Sequence, residues 1–302
     1  MSSIAQSSRE LSAWQRFWQS RRNQRRVTLA FKTLLALIVI GFSLFPIIWT
    51  ISAAFNPSSG ISGQRLIPVN PTLRHFQEIL VEHPFWTWLK NSLIVSSISA
   101  VLAGGITMLA AYSFSRFRFR GRNQLLLLIL LIQVFPALLA MIALFALLLQ
   151  IGQYIPLLGL NSLGGLILIY LGGAMGINVW LMKGFFDSIP RAIDESAMVD
   201  GATHWQIFWQ LIFPLVRPIV VVVIILTFFG TFGDWLMPRI MIQRTELFTL
   251  MLGLQTFIGD NYGQNWGPFA AGALLGSIPQ VIVFILLQDQ IVGGLTAGSV
   301  KG

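Results

Sequence analysis

Residues 34–55 read LLALIVIGFSLFPIIWTISAAF, an uninterrupted run of 22 residues without a charged side chain. A helix rises about 1.5 Å per residue, so a run of this length crosses the roughly 30 Å hydrocarbon core of a bilayer. Arginines between positions 21 and 26 precede the run, and Ala53 and Ala54 end it, as in a secretory signal. The run exceeds the roughly 7–15 apolar residues of a signal core, so we interpret it as an uncleaved membrane anchor.

Five further apolar stretches follow this run. Together the six predict membrane-spanning helices at about 29–55, 91–113, 124–150, 163–182, 214–237 and 267–291. The composition agrees, because 55% of the residues are hydrophobic and only 10% are charged, against about 25% charged in soluble proteins. The sequence therefore predicts an all-α, polytopic membrane protein with six transmembrane helices. We expect an N-terminal tail over 1–28, a transmembrane domain over 29–292 and a C-terminal tail over 293–302.

The basic surplus gives the expected orientation. The chain has 20 Lys and Arg against 11 Asp and Glu, a formal net charge of +9. If the N-terminus is inside, only five basic residues fall in outside loops, namely Arg65, Arg74, Lys90, Arg239 and Arg244. The remaining fifteen fall inside, which by the positive-inside rule predicts that both termini are cytoplasmic. The surplus is then explained by topology, so no nucleic-acid partner is expected.

Several kinds of chemistry are missing. No Gly-Lys pair occurs, hence no phosphate-binding loop, and no Cys occurs. The middle of each predicted span lacks an ionisable residue, which argues against an ion-coupled carrier. His75, His83 and His204 fall in loops and are expected to be solvated. We therefore predict no catalytic residue, no metal ligand and no cofactor in this chain.

Polar, mostly uncharged side chains lie in or beside the predicted spans. Amides and hydroxyls there commonly satisfy neighbouring helices. Alternatively they line a path for a neutral, hydroxyl-rich solute, with Trp rings stacking on its apolar side. The candidate path residues are Gln133, Asn178, Trp180, Thr231, Asp234 and Trp235.

The segment 183–218 is too long for a simple turn. Pro190 suits a helix start, with Asp194 and Glu195 near its positive end, and Gly201 suits its end. Thr203 and Gln206 have the T-x-x-Q spacing of a capping box. We predict a helix, a glycine turn and a second helix ending at Pro214, both helices lying at the cytoplasmic membrane face.

This segment also predicts a protein contact. Ala197, Met198, Val199 and Ala202 would form a small apolar knob beside Glu195 and Asp200. Exposed apolar side chains at a helix end suit a socket on another protein. A helix resting on the bilayer would instead prefer Lys and Arg on its polar face.

The run from Glu195 to Ala202, followed by Phe208 and by Phe213–Pro218, resembles the E-A-A-x-x-x-G cytoplasmic loop of ABC importer permeases. Ser196 replaces the usual first Ala. In that family the loop is a coupling helix that docks into a groove of the ATP-hydrolysing subunit, which binds ATP and Mg²⁺. The resemblance implies that the ATPase contact consists of Glu195, Ser196, Ala197, Asp200, Gly201 and Ala202.

The stretches 293–302, 71–73, 91–93 and 233–238 are similar to the smaller permease of maltose-type carbohydrate importers. The resemblance implies a type I ABC importer permease fold in the lipid bilayer of a prokaryotic inner membrane. It further implies a second homologous permease, two ATP-binding cassette subunits, an extracytoplasmic solute-binding protein and a sugar-like solute. Two alternatives stay open: another solute class, such as a glycerol-phosphate-like compound or a polyamine, and a channel or structural membrane protein outside this family.

Overall fold

The computed structural model describes residues 21–60, 65–259 and 264–297, and the regular structure of these ranges is helical. The helices are α1 (Arg21–Phe55), α2 (Arg74–Gln77, extended by a π-helical turn at Glu78–Glu82), α3 (Phe85–Arg116), α4 (Arg122–Val134), α5 (Ala137–Tyr154), α6 (Leu163–Ser188), α7 (Ala192–Val199), α8 (His204–Phe232), α9 (Leu236–Met241), α10 (Leu250–Gln255) and α11 (Trp266–Ala297). Short 3-10 turns at Pro156–Leu158 and Thr245–Leu247 complete the order. Residues 1–20 and 298–302, which include much of the two predicted tails, lie outside the described residues, so the tail boundaries stay predictions.

Among the described residues, five helices are long and apolar enough to cross a membrane. They are Gln24–Phe55, Phe85–Arg116, Leu163–Ser188, His204–Phe232 and Trp266–Gln290. A sixth span is formed only if Arg122–Val134 and Leu138–Tyr154 are taken together, and their axes differ by 105°. The prediction of six apolar helices is confirmed with one change, because the third is broken.

The break in the third predicted span lies at Pro136. Phe135 has φ −66° and ψ 131°, and Pro136 has φ −58° and ψ 120°, so both leave the helical region. Proline has no N–H and pushes the preceding residue toward extended backbone, which ends a helix. Pro136 O then accepts hydrogen bonds from the N–H groups of Leu139 and Ala140 and starts α5. A single helix over 124–150 was therefore the wrong prediction.

The long helices pack in a row. α3 lies against both α6 and α8, α8 lies against α11, and α11 lies against α1. Among the described residues, the two larger apolar cores lie at opposite ends of the long helices. We call one the loop end, where α10 covers the first turns of α3, and the other the α7 end, where α7 covers the last turns of α3 and α6.

Polar side chains at the start of α3 hold the loop end together. Asn91 donates from Nδ2 to the carbonyls of Glu246 and Phe248, both at 3.0 Å. Ser92 Oγ accepts from the N–H of Leu250 at 2.7 Å. Two of these bonds pair backbone groups of the buried residues Phe248 and Leu250, which would otherwise be unsatisfied.

The three histidines are not all solvated. His75 is buried, with Nε2 2.9 Å from Asn56 O, so the prediction is wrong for this residue. His204 is exposed. Among the described residues, no three His, Asp or Glu side chains come together as a metal site would require.

Candidate functional site

α7 ends in a glycine turn that its sequence predicts. Gly201 has φ +84°, a left-handed conformation that glycine adopts without a Cβ penalty. The Ala202 N–H donates to Ala197 O at 2.9 Å, and the Gly201 N–H donates to Met198 O at 3.1 Å. This pair of bonds is the Schellman motif, which satisfies the last carbonyls of a helix. The predicted helix and its stop at Gly201 are confirmed.

The capping box at the start of α8 is also confirmed. Thr203 Oγ1 accepts from the Gln206 N–H at 3.3 Å, and Gln206 Oε1 accepts from the Thr203 N–H at 2.8 Å. The expected end at Pro214 is wrong, because α8 continues to Phe232 as one long helix. A π-helical segment at Ile207–Ile212 precedes Pro214, and the Phe213 N–H donates to Phe208 O, five residues earlier. The missing N–H of Pro214 thus falls where the bonding pattern changes, so the helix is not stopped.

The predicted contact residues divide by burial. Most face outward, and these are Glu195, Ser196, Met198, Val199, Asp200 and Gly201. Ala202 is half-buried. Ala197 points the other way and is buried in the α7-end core with side chains of α3, α6 and α8. The apolar knob expected from the sequence is therefore split, with Val199 88% exposed at its tip and Ala197 anchoring its base.

A buried ion pair fixes α7 to the helix bundle. Arg116, the last residue of α3, places Nε 3.0 Å from Asp194 Oδ2 in the first turn of α7, an ion pair in which the N–H is not aimed at the oxygen. Arg116 Nη1 donates to Phe186 O at 3.1 Å, and Nη2 donates to Ile189 O at 3.2 Å. One guanidinium therefore joins the ends of α3 and α6 to α7.

Further polar bonds surround this ion pair. Arg191, just before α7, donates from Nη2 to Ser115 O at 2.8 Å. Ser115 Oγ donates to Asp187 Oδ1 at 2.6 Å, and Asp187 also pairs with Lys183. Sequence reasoning missed this network, since it used Arg116 only as a topological charge and Asp194 only as an acidic group near a helix start. The available signal was an arginine at the very end of an apolar span.

Three of the candidate path residues lie where α4 meets α6. Trp180 donates from Nε1 to Leu126 O at 3.2 Å, across the two helices. The carboxamide of Gln133 lies over Gly176, where a Cβ would stand only 1.7 Å from Nε2. Asn178 donates at 2.9 Å to a carbonyl of its own helix. Trp180 and Gln133 thus serve the packing of α4 on α6.

The other three lie at the loop end, where α8 turns into α9. Asp234 Oδ2 accepts from Tyr170 OH at 2.9 Å, and Oδ1 accepts from the Leu236 N–H at 2.9 Å. Thr231 Oγ1 donates to a carbonyl of α8 at 2.8 Å. Trp235 is 39% exposed. Asp234 thus ties α6 to the start of α9, and the six candidates form two groups rather than one cluster.

Residues 100–293 match a family described as "Binding-protein-dependent transport system inner membrane component". The chain is 42% identical over 289 residues to the maltose/maltodextrin transport system permease protein MalG of Vibrio parahaemolyticus, over 91% of this chain and 94% of that protein. It is 40% identical over 284 residues to the galactooligosaccharides transport system permease protein GanQ of Bacillus subtilis, over 92% and 98%.

The fold has a counterpart among solved structures. A chain of a bacterial ABC transporter involved in the import of the acidic polysaccharide alginate superposes with a TM-score of 0.73 at 23% identity, over 89% of this chain and 98% of that one. The all-helical fold is thus that of an ABC importer permease. By sequence and by fold, this chain belongs to the family of binding-protein-dependent transport system inner membrane components, which are permease subunits of ABC importers and not enzymes.

Proposed function

We propose that this permease subunit moves a sugar across the membrane and that α7 is the element through which a partner ATPase drives it. The observation that carries the proposal is the geometry of α7. Its C-terminal half is mostly exposed, and its first turn is attached to the ends of α3 and α6 through the buried Arg116–Asp194 pair. An element built only to cover the bundle end would not need Val199 88% exposed. A socket on a partner protein would remove that apolar surface from water.

The proposed contact surface follows from burial. Glu195, Ser196, Asp200 and Gly201 face outward, and half-buried Ala202 borders them. We assign these five residues, together with exposed Met198 and Val199, to the ATPase contact. Ala197 belongs to the same segment, but its role is to hold α7 on the core.

The proposed assembly supplies what the chain lacks. ATP and Mg²⁺ would be held by two ATP-binding cassette subunits, since the sequence has no phosphate-binding loop. A second, homologous permease would complete the pathway. One structural counterpart is an alginate ABC transporter in complex with an alginate pentasaccharide-bound periplasmic protein. By analogy, a solute-binding protein would dock at the loop end, with α7 and both termini on the cytoplasmic side.

The proposed cargo is a neutral sugar of the oligosaccharide class. The relatives above are named for maltose, maltodextrin and galactooligosaccharides. Among the candidate path residues, the indole rings of Trp180 and Trp235 are 38% and 39% exposed, which leaves ring surface that could stack on a sugar. The one carboxylate among these candidates, Asp234, already accepts hydrogen bonds within the bundle, so it is not a free site for a cationic solute such as a polyamine.

The test is reconstitution of the chain with its partner permease, ATPase and solute-binding protein in vesicles. We expect ATP-dependent uptake of maltose or a galactooligosaccharide and none of spermidine. Glu195→Lys should lower the amount of ATPase that co-purifies by about tenfold, a change of about 1.4 kcal/mol in binding.

The matched control is Glu246→Lys, which reverses another exposed acidic residue, at the loop end. It should leave ATPase recovery unchanged. Purification of the wild-type chain without an ATPase, together with no sugar uptake, would contradict the proposed function.

A further inference from the structure

We propose that Arg116 is a positioning residue, which fixes α7 to the ends of α3 and α6 so that movement of α7 carries both spans with it. The proposal rests on the proposed function, because it states how an ATPase contact at α7 reaches the membrane helices. Its basis is that one buried guanidinium is shared among three helices.

Arg116 holds the end of α6 by two directed hydrogen bonds and α7 by the attraction between its charge and Asp194. A guanidinium is planar, with its donors in a fixed fork. Two of its nitrogens donate to Phe186 O and Ile189 O at the end of α6, and Nε lies 3.0 Å from Asp194 Oδ2 without a directed hydrogen bond. The end of α6 carries the negative pole of its helix dipole, so a single cation balances both this pole and the Asp194 carboxylate. Displacing α7 alone would separate these charges.

Burial makes that separation costly. The side chains of Arg116 and Asp194 are 7% and 11% exposed. Water cannot readily replace either partner there, and a buried charge without a partner is strongly unfavourable. The ion pair Lys183–Asp187 differs, because it lies within α6 and its side chains are 15% and 41% exposed. Breaking that second pair removes no contact with α7.

The opposite half of α7 is open. Val199 is 88% exposed, and a Cβ built on Gly201 would have no atom within 4 Å. The C-terminal half of α7 is therefore accessible to a partner, whereas its first turn is fixed to α3 and α6. A displacement applied at its C-terminal half passes into the bundle through Arg116, through the bond from Arg191 to Ser115 O, and through the buried side chain of Ala197.

The experiment measures maltose, or the oligosaccharide that the wild type takes up, transported per ATP hydrolysed by the reconstituted complex. In Asp194→Asn the ATPase should still co-purify and hydrolyse ATP, while uptake per ATP falls about tenfold, within the usual range of coupling between sites. Asp194→Glu should restore the ratio, because it restores the charge. Lys183→Gln is the matched control and should keep the wild-type ratio.

Arg116→Lys provides a second variant. It keeps the positive charge, but a single ammonium cannot bridge the two carbonyls and the carboxylate, so the ratio should fall as well. A wild-type ratio in Asp194→Asn, or in Arg116→Lys if only that variant assembles, would overturn the proposal and leave the proposed function intact. Loss of assembly in both, with Lys183→Gln assembled, would make Arg116 a folding residue only and would also overturn it. Failure of the wild type to couple ATP to uptake contradicts the proposed function instead.

Discussion

Substituting Gly201 with alanine tests the role of the glycine turn of α7 in uptake separately from its effect on the stability of the protein. Gly201 has φ +84°, and a Cβ there would have no atom within 4 Å. The added methyl group therefore causes no clash. Its cost is conformational, roughly 1–2 kcal/mol for an L-residue in the left-handed region.

That cost has a predictable consequence for α7. The strain is relieved when the turn opens, which breaks the bonds from Gly201 N–H to Met198 O and from Ala202 N–H to Ala197 O. The last turn of α7, with exposed Val199, then loses its fixed direction. A difference of 1–2 kcal/mol lowers the population of the native turn by about 5- to 30-fold relative to open forms. We expect sugar uptake by the reconstituted complex to fall, with this factor as the upper limit.

Gly121 supplies the matched control. Its φ is +85°, and the nearest atom to an added Cβ is Gln124 Oε1 at 3.5 Å, so Gly121→Ala carries the same backbone strain away from α7. Both variants should lower the thermal stability of the purified chain to a similar extent, but only Gly201→Ala should lose uptake. Wild-type uptake in Gly201→Ala, or an equal loss in Gly121→Ala, would refute the assigned role of the turn.

Two further predictions concern the loop end. Asn91→Ala leaves the buried carbonyl of Phe248 without its donor, so the free energy of unfolding should fall by about 1–3 kcal/mol. Thermal unfolding should show a smaller loss in Asn178→Ala, whose amide bonds only within α6. Tyr170→Phe removes the hydrogen bond to Asp234 and should cost about 1.5–3 kcal/mol, as for a bond to a charged group, while sugar uptake per ATP stays at the wild-type value. An unchanged melting temperature would show that this pair does not hold α6 to the start of α9.

Local patterns predicted local structure well. The stop of α7 at Gly201 and the capping box of Thr203 and Gln206 depend on residues a few positions apart, and both are found as expected. The break at Pro136 was equally local, since proline itself ends the helix. It was overlooked because the apolar run continues through it, and hydropathy does not record backbone hydrogen bonds.

Contacts between distant segments could not be predicted. Arg116 and Asp194 meet only because α3 and α6 pack side by side and α7 folds back beneath them. The inward direction of Ala197 depends on the same packing. A small apolar residue beside exposed carboxylates fits either face of an isolated helix, so its burial is decided by neighbours that a single sequence does not identify.

The two cores explain how a contact at α7 can act at a distance. At the α7 end, Phe186, Ile207 and Phe208 are almost fully buried, and close-packed interiors of this kind shift between discrete arrangements rather than deform gradually. At the loop end, Asn91 and Ser92 fix the start of α3 to the loop that covers it. α3 is therefore held at both ends. On the proposed coupling, a displacement of α7 moves α3 with it. Because α3 is also fixed at its start, the displacement reaches the loop end, where the solute-binding protein would dock.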